Sequence, residues 1–313
     1  VNVQAGKKLG GYQLVARIAS GGQAEVFRAK VTNAAFFGKP RQGEFVILKR
    51  LLPAFRRDLV RVDRFRQEGR LMARLKHPNI VQTMGCFEQS EDCVLVQEWV
   101  EGQTLEKLQE DYRRREEFLP LDAVVFILRQ LLFALCYIHE LSEEGIWRGL
   151  VHSDLSPTNL LLSKRGEVKL IDFGVARLLN EKVARENELH GTLAYMSPEA
   201  MLGHSGDEKV DLYAVGVLLW ELIANRRLFE GTSEVERMHK VKNAQVPPIT
   251  KYNPNAPHFA ELLLRKALAV HPERRFESAR AFLQAMNAWV YRMGLKQEPA
   301  LLAQLLADGD LPQ

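Results

Sequence analysis

Short β-branched and apolar runs, separated by polar breaks and turn residues, fill the first hundred positions of the chain. Five of them read as strands: Tyr12–Ile18, Ala24–Lys30, Phe45–Arg50, Ile80–Glu88 and Cys93–Trp99. Between the third and fourth, Val62, Phe65, Met72 and Leu75 fall roughly on one helical face, so 59–75 is predicted to be a helix. After residue 104 the period is helical over 104–116, 121–141, 208–224, 232–242, 258–268 and 276–292, with a further short helix at 297–307. A strand-rich small half followed by a helix-rich large half predicts an α+β chain. The boundary falls near Val100–Gln103, where Gly102 punctuates the pattern. Internal repeats and low-complexity tracts are absent.

The length of 313 residues exceeds the roughly 100–200 of one ordinary domain, so two lobes or two domains are expected. Apolar residues make up 46% and charged residues 26%, which supplies a sizeable core. The net charge of +4 is small for this length, and the densest basic stretch, Arg56 to Arg70, is broken by Asp58, Asp63 and Glu68. It reads as a solvated helix face, and no nucleic-acid partner is expected. Leu121–Leu141 is apolar enough to suggest a membrane span, but Arg129 and Gln130 sit at its middle, so a buried helix is expected and no span. The opening VNVQAGKKLGGYQ has no apolar signal core, and a first residue of Val is what an excised domain would show. Three cysteines, Cys86, Cys93 and Cys136, lack metal spacing and read as reduced thiols of a cytoplasmic protein.

Four stretches carry candidate chemistry. Ile18-Ala19-Ser20-Gly21-Gly22-Gln23-Ala24-Glu25-Val26 places small residues between two strands, where backbone N–H groups can approach a phosphate; alone it fits a plain hairpin turn equally well. Val46-Ile47-Leu48-Lys49 ends an apolar strand on a lysine, either a snorkelling side chain or a point charge for phosphates, with Glu68 on the following helix as its partner. His152-Ser153-Asp154-Leu155-Ser156-Pro157-Thr158-Asn159 precedes the apolar run Leu160–Leu162, and Asp172-Phe173-Gly174 follows the run Val168–Ile171. Two carboxylates and an amide near strand ends make a hard-oxygen site suited to Mg²⁺.

In this order and spacing, the set over residues 12–290 resembles the eukaryotic-type protein kinase family, in a style similar to bacterial Ser/Thr kinases. The resemblance implies a bilobal kinase fold, with an N-lobe at 12–100, a C-lobe at 101–290 and a tail at 291–313 holding a short helix. It implies that residues 18–26 cover the phosphates of ATP and that Lys49 holds the α/β-phosphates and pairs with Glu68. Asp154 would orient the hydroxyl of a protein substrate, while Asn159 and Asp172 hold Mg²⁺ in the cleft between the lobes. Glu98 and Val100 would bond adenine, Gln97 would stand beside the pocket, and Ile18, Val26, Ile47 and Leu161 would sandwich the ring. Gly191-Thr192 and Ser197-Pro198-Glu199 resemble the substrate loop and its anchor, with Glu199 paired to Arg275 and Asp211 accepting backbone N–H groups of the 152–154 loop. Pro157 and Thr192 fit the Ser/Thr branch.

The chain departs from the family pattern at several points. Ala19 and Ala24 stand where glycine is usual; a left-handed alanine costs about 1 kcal/mol, so weaker ATP binding is expected. Ile47 replaces a usual alanine over the adenine and is expected to narrow that pocket. Ser156 replaces a lysine that contacts the γ-phosphate, and Ser153 replaces an arginine that docks a phosphorylated activation loop. From Val175 to His190 there is no Ser, Thr or Tyr. Both absences lead to the expectation that activation-loop phosphorylation is not the switch. The alternative that these departures raise is a pseudokinase that binds nucleotide or a partner with little turnover; oligomeric state is left open.

Overall fold

A computed structural model describes residues 6–32, 41–143, 147–173, 177–178, 192–204, 207–231 and 233–309. The chain divides into two compact units, one ending at Glu101 and one starting at Gly102.

The first unit is an antiparallel sheet of β1 (Lys8–Leu9), β2 (Tyr12–Ser20), β3 (Ala24–Val31), β4 (Phe45–Leu51), β5 (Thr83–Gln89) and β6 (Asp92–Glu98), in the order β1-β2-β3-β4-β6-β5. Alternation along the strands gives each face its own core. One face gathers Tyr12, Leu14, Phe27, Val46, Leu48 and Val96. The other gathers Ala24, Leu51 and Leu95 with Val62 and Phe65 of helix α1 (Leu59–Arg74). Asp58 caps that helix by accepting the Arg61 N–H. Gly69 lets α1 lie against the sheet, since a Cβ there would come within 2.3 Å of Leu95 Cδ2. The fourth strand begins at Thr83, not at Ile80 as the apolar run predicted. Ile80, after the His77–Asn79 turn, makes only an isolated bridge, and both it and Val81 are buried, so the continuous ladder starts only at Thr83. Phe36 and Phe37, in the long connection between β3 and β4, lie outside the described residues.

The second unit starts with β7 (Gly102–Thr104) and the helices α2 (Leu105–Arg115) and α3 (Leu121–His139). Short strands follow: β8 (Ser142–Glu143) with β9 (Trp147–Arg148), β10 (Leu150–Val151), then the hairpin β11 (Leu160–Ser163) and β12 (Val168–Leu170), and β13 (Arg177–Leu178) paired to β10. β11 sits between β12 and β7. Helices α4 (Pro198–Met201), α5 (Lys209–Ala224), α6 (Glu234–Lys242), α7 (His258–Ala267), α8 (Ala279–Met293) and α9 (Pro299–Gly309) complete it. By length and composition α3 is apolar enough to cross a bilayer, but 67% of its apolar window is buried, and it packs on α5, α8 and β12 as a core helix. α5 is buried on all sides.

The last helix is fastened to this core. Leu302 and Leu306 of α9 are buried, Arg129 of α3 donates to Asn287 (2.8 Å) and Gln297 (2.7 Å), and Asp122 accepts the Lys296 N–H. At the tip of the β11–β12 hairpin Gly166 has φ +81°, and a Cβ there would stand 1.8 Å from the Pro299 carbonyl oxygen. Gly166→Ala therefore meets both a left-handed backbone penalty of about 1–2 kcal/mol and a collision with main chain. Its melting temperature is expected to fall by at least about 2–4 °C, with faster amide exchange over 296–309; unchanged exchange there would show that the hairpin does not hold α9.

Candidate active site

In the first unit, strand β4 delivers Lys49 to α1. Its Nζ lies 3.0 Å from Glu68 Oε1, with both side chains about 15% exposed (15% and 14%). The pair is shielded enough to exceed the small worth of an exposed ion pair. The turn between β2 and β3 is open: residues 18–23 are exposed and Gly21 N–H bonds the Ala24 carbonyl at 2.9 Å. Ala19 pairs with Val26 just past a register shift, Ala24 pairs with Leu51 in the unbroken β3–β4 ladder, and neither has positive φ. The backbone strain expected from alanine at these positions is therefore absent, and with it that argument for weak ATP binding. Glu25 turns its carboxylate to Arg17 and Arg50. At the far end of the sheet, Gln97 donates to Thr83 Oγ1 (3.1 Å), Glu98 accepts the Gln82 N–H (2.8 Å), and Val100 is buried. Val26 and Ile47 are half-buried and Ile18 is exposed.

In the second unit, the connection between β10 and β11 is held from below by Asp211 in the first turn of α5. This carboxylate is buried and accepts from His152 N–H (2.9 Å), Ser153 N–H (2.8 Å) and the His139 ring (2.9 Å). Burial pushes its pKa up, but the His139 bond, the His139 and His152 rings and the His152 amide outweigh that and hold it below the ordinary value. Ser153 is left with φ +66°, a left-handed non-glycine residue whose amide bond offsets its strain. The His152 ring donates to the Ile171 carbonyl (3.3 Å), accepts from Asp154 N–H (3.3 Å) and stacks edge-on with Phe173 at 4.7 Å. One buried ring thus fixes the approach to both Asp154 and Asp172.

Asn159 Nδ2 donates to the Asp154 carbonyl oxygen (2.8 Å) and carboxylate (3.3 Å). Asp172 is exposed with φ +60°. With its amide nitrogen bonded to Asp154, Asn159 has Oδ1 left as a hard oxygen, and Asp172 has its carboxylate; these are the two groups that could hold a cation. Among the described residues no group of three or more His, Cys, Asp or Glu assembles a metal cage. A two-residue oxygen set fits Mg²⁺, which takes its other ligands from water and phosphate. Ser156 is buried and shares a 2.7 Å hydrogen bond with Thr158, so its hydroxyl is already engaged. Leu161 is half-buried on β11. Gly174, Gly191 and most residues between them lie outside the described residues.

A sequence profile described as protein kinase domain matches residues 12–288. The chain belongs to the protein kinase family. Its curated kinase relatives include the tyrosine-protein kinase MasK of Myxococcus xanthus, 33% identical over 289 residues, covering 90% of this chain and 43% of MasK. The serine/threonine-protein kinase PrkC of Bacillus subtilis is 31% identical over 276 residues, covering 88% and 40%. Pkn3 of M. xanthus, a serine/threonine-protein kinase, is 34% identical over 291 residues, covering 88% and 49%. The chain thus spans less than half the length of these kinases. Among solved structures, the kinase domain of Mycobacterium tuberculosis PknI, as a double mutant, aligns with a TM-score of 0.68 at 27% identity, covering 92% of this chain and 99% of that one.

Arg275, which the resemblance paired with Glu199, has a fully buried side chain. All five guanidinium N–H donors have acceptors: both Glu199 oxygens (2.7 Å each) and the carbonyls of Lys209, Ala269 and Val270. Burial raises the Glu199 pKa, but the bonds and charge of Arg275 prevail and lower it. Breaking such a pair strands a buried charge, so Glu199→Gln is expected to lose about 3–5 kcal/mol at pH 7. Because the folded carboxyl is depressed, this stabilisation is present above the unfolded value of about 4 and fades as pH falls through the folded one. Urea titrations of both proteins from pH 7 to pH 3 should therefore converge on the acid side; a gap independent of pH would exclude the ion pair as its source.

Proposed function

We propose that this domain transfers the γ-phosphoryl of ATP to Ser or Thr hydroxyls of a protein substrate. The observation that carries this reading is the bonding of Asn159 to Asp154: the amide that presents an oxygen to the metal also holds the carboxylate that meets the hydroxyl. Magnesium, when bound, would neutralise charge on the phosphates. Lys49, steadied by Glu68, adds a second positive charge to them. Asp154 orients the substrate hydroxyl and takes its proton as the new P–O bond forms and the bond to the ADP oxygen breaks. Asn159 and Asp172 hold the metal. The Ser20–Gln23 amides cover the phosphates, Glu98 and Val100 receive adenine, and Gln97, Ile18, Val26, Ile47 and Leu161 border it.

Pro157 and the names of PrkC and Pkn3 support Ser/Thr specificity; the name of MasK favours tyrosine as a second reading. A reducing, cytoplasmic setting is supported by three free cysteines, of which Cys93 and Cys136 are buried thiols raised by burial to about 11. Activation does not pass through phosphorylation of the segment after Gly174, which offers no hydroxyl before Thr192.

Radiolabelled ATP and a generic protein substrate test the reading. The wild-type chain should give phosphoserine and phosphothreonine, and Asp154→Asn should lose at least about 100-fold in kcat. Predominant phosphotyrosine would establish the second specificity. Equal transfer by both proteins would remove Asp154 from the chemistry. No transfer by either, with Mg·ATP still raising the melting temperature, would mark a nucleotide-binding scaffold. An activating phosphate found by mass spectrometry between residues 172 and 191 would overturn the account of activation.

A further inference from the structure

A polar network with no part in the chemistry above lies across β4 from Lys49. Successive strand residues point to opposite faces. Lys49 therefore meets α1, while Arg50 turns to the face of β3 that carries Glu25 and Phe27. Five charges of alternating sign follow one another there. Arg17 on β2 reaches Glu25 Oε1 (3.2 Å), Glu25 Oε2 takes Arg50 (2.7 Å), Arg50 lies 3.6 Å from Asp92 at the start of β6, and Asp92 closes on Arg56.

The network is most enclosed at its middle, with Arg56 at its far end 25% exposed. Side-chain exposure is 42% at Arg17, 13% at Glu25 and 7% at Arg50. Arg50 also stands 5.0 Å over the Phe27 ring. Burial pushes the Glu25 carboxyl up, yet Arg50 and Arg17 together hold it below its ordinary value, as an ion anchored from both sides.

The two arms of the turn are fastened unequally. The β3 arm lies in an unbroken ladder with β4, and the Leu52 N–H bonds the Gln23 carbonyl (2.8 Å). The β2 arm has register shifts at Leu14/Ala16 and Arg17/Ala19 and is exposed from Arg17 to Ser20. The Arg17–Glu25 pair spans the second shift and ties this loose arm to the rigid one. Neither Gly21 nor Gly22 has positive φ, so the turn does not take its shape from left-handed glycine.

We propose that Glu25 is a positioning residue for the phosphate-covering turn: gripped by Arg50, it holds Arg17 and so sets where the Ser20–Gln23 amides stand. This rests on the ATP reading above and changes the part Glu25 plays in it, from nucleotide contact to strut.

Steady-state kinetics against ATP, with melting curves in parallel, test the idea on the full chain. Glu25→Gln should raise the ATP KM about three- to tenfold, at the lower end of the coupling between residues of one network, with kcat changed less than about twofold. Arg17→Gln should move KM the same way by less, with melting unchanged, because an exposed pair adds little stability. The double variant should be no worse than Glu25→Gln alone, since both remove one tether. A lowered melting temperature with an unmoved KM in Glu25→Gln would reduce the network to a sheet brace and overturn the proposal, as would additive effects in the double variant. A wild-type chain that neither turns over nor binds Mg·ATP would overturn the ATP reading itself; turnover with KM unmoved in Glu25→Gln overturns the positioning role alone.

Discussion

A carboxylate with no access to water must be surrounded by donors or it will not stay ionised in a folded protein, and Asp211 meets that demand with two backbone amides and a ring. Much of the second unit follows from it. The amides belong to His152 and Ser153, so the chain entering Asp154 is drawn onto the N-terminal turn of α5. The ring belongs to His139 at the end of α3, so the two most buried helices are tied at one point. Helix α5 can serve as this post because it is apolar all round, held by burial at every turn. The left-handed backbone at Ser153 is tolerated because straightening it would pull its amide off Asp211 and leave part of a buried charge unmet.

The parts of the fold legible in the sequence were those written in a period. Helix α1 announced itself through Val62, Phe65 and Met72, all buried on one side. The strands from Tyr12 to Leu51 announced themselves as short apolar runs between polar breaks, and the structure divides their side chains between two cores. The apolar run misplaced the start of the fourth strand, since Ile80 makes only an isolated bridge and the strand begins at Thr83. Periodicity was silent on β7, a three-residue strand whose only signal is its partner β11, far along the chain.

The candidate site residues were singled out for a different reason, the order and spacing of their motifs. Asp154, Asn159 and Asp172 lie beside short strands and Lys49 lies inside β4, and motif order can be read where tertiary contacts cannot. Contacts across strands were not legible. Nothing in the spacing of Arg17, Glu25, Arg50 and Asp92 says that they form a line, since that depends on register and on a bulge between Arg17 and Ala19. The expectation about Ala19 and Ala24 failed on the same ground: it treated glycine at those positions as a backbone requirement, whereas both residues lie in extended ladder geometry that any residue adopts.

Where the chain lacks charges usual in its family, the structure narrows what can replace them. The hydroxyl of Ser156 is buried against Thr158 and brings no net charge, so it is no electrostatic substitute for a lysine. In a phosphoryl transfer whose charge spreads over the transferred oxygens, a missing ammonium puts more weight on the remaining cations. Under the proposed function these are Lys49 and the metal. Lys49 can carry that weight only while Glu68 keeps it extended and fixed, which makes the rigidity of β4 the limiting requirement. Strand β4 is where that rigidity is built: hydrogen-bonded to β3 and β6 along both edges, it sends Lys49 to Glu68 on α1 and Arg50 to Glu25 on β3 from adjacent positions.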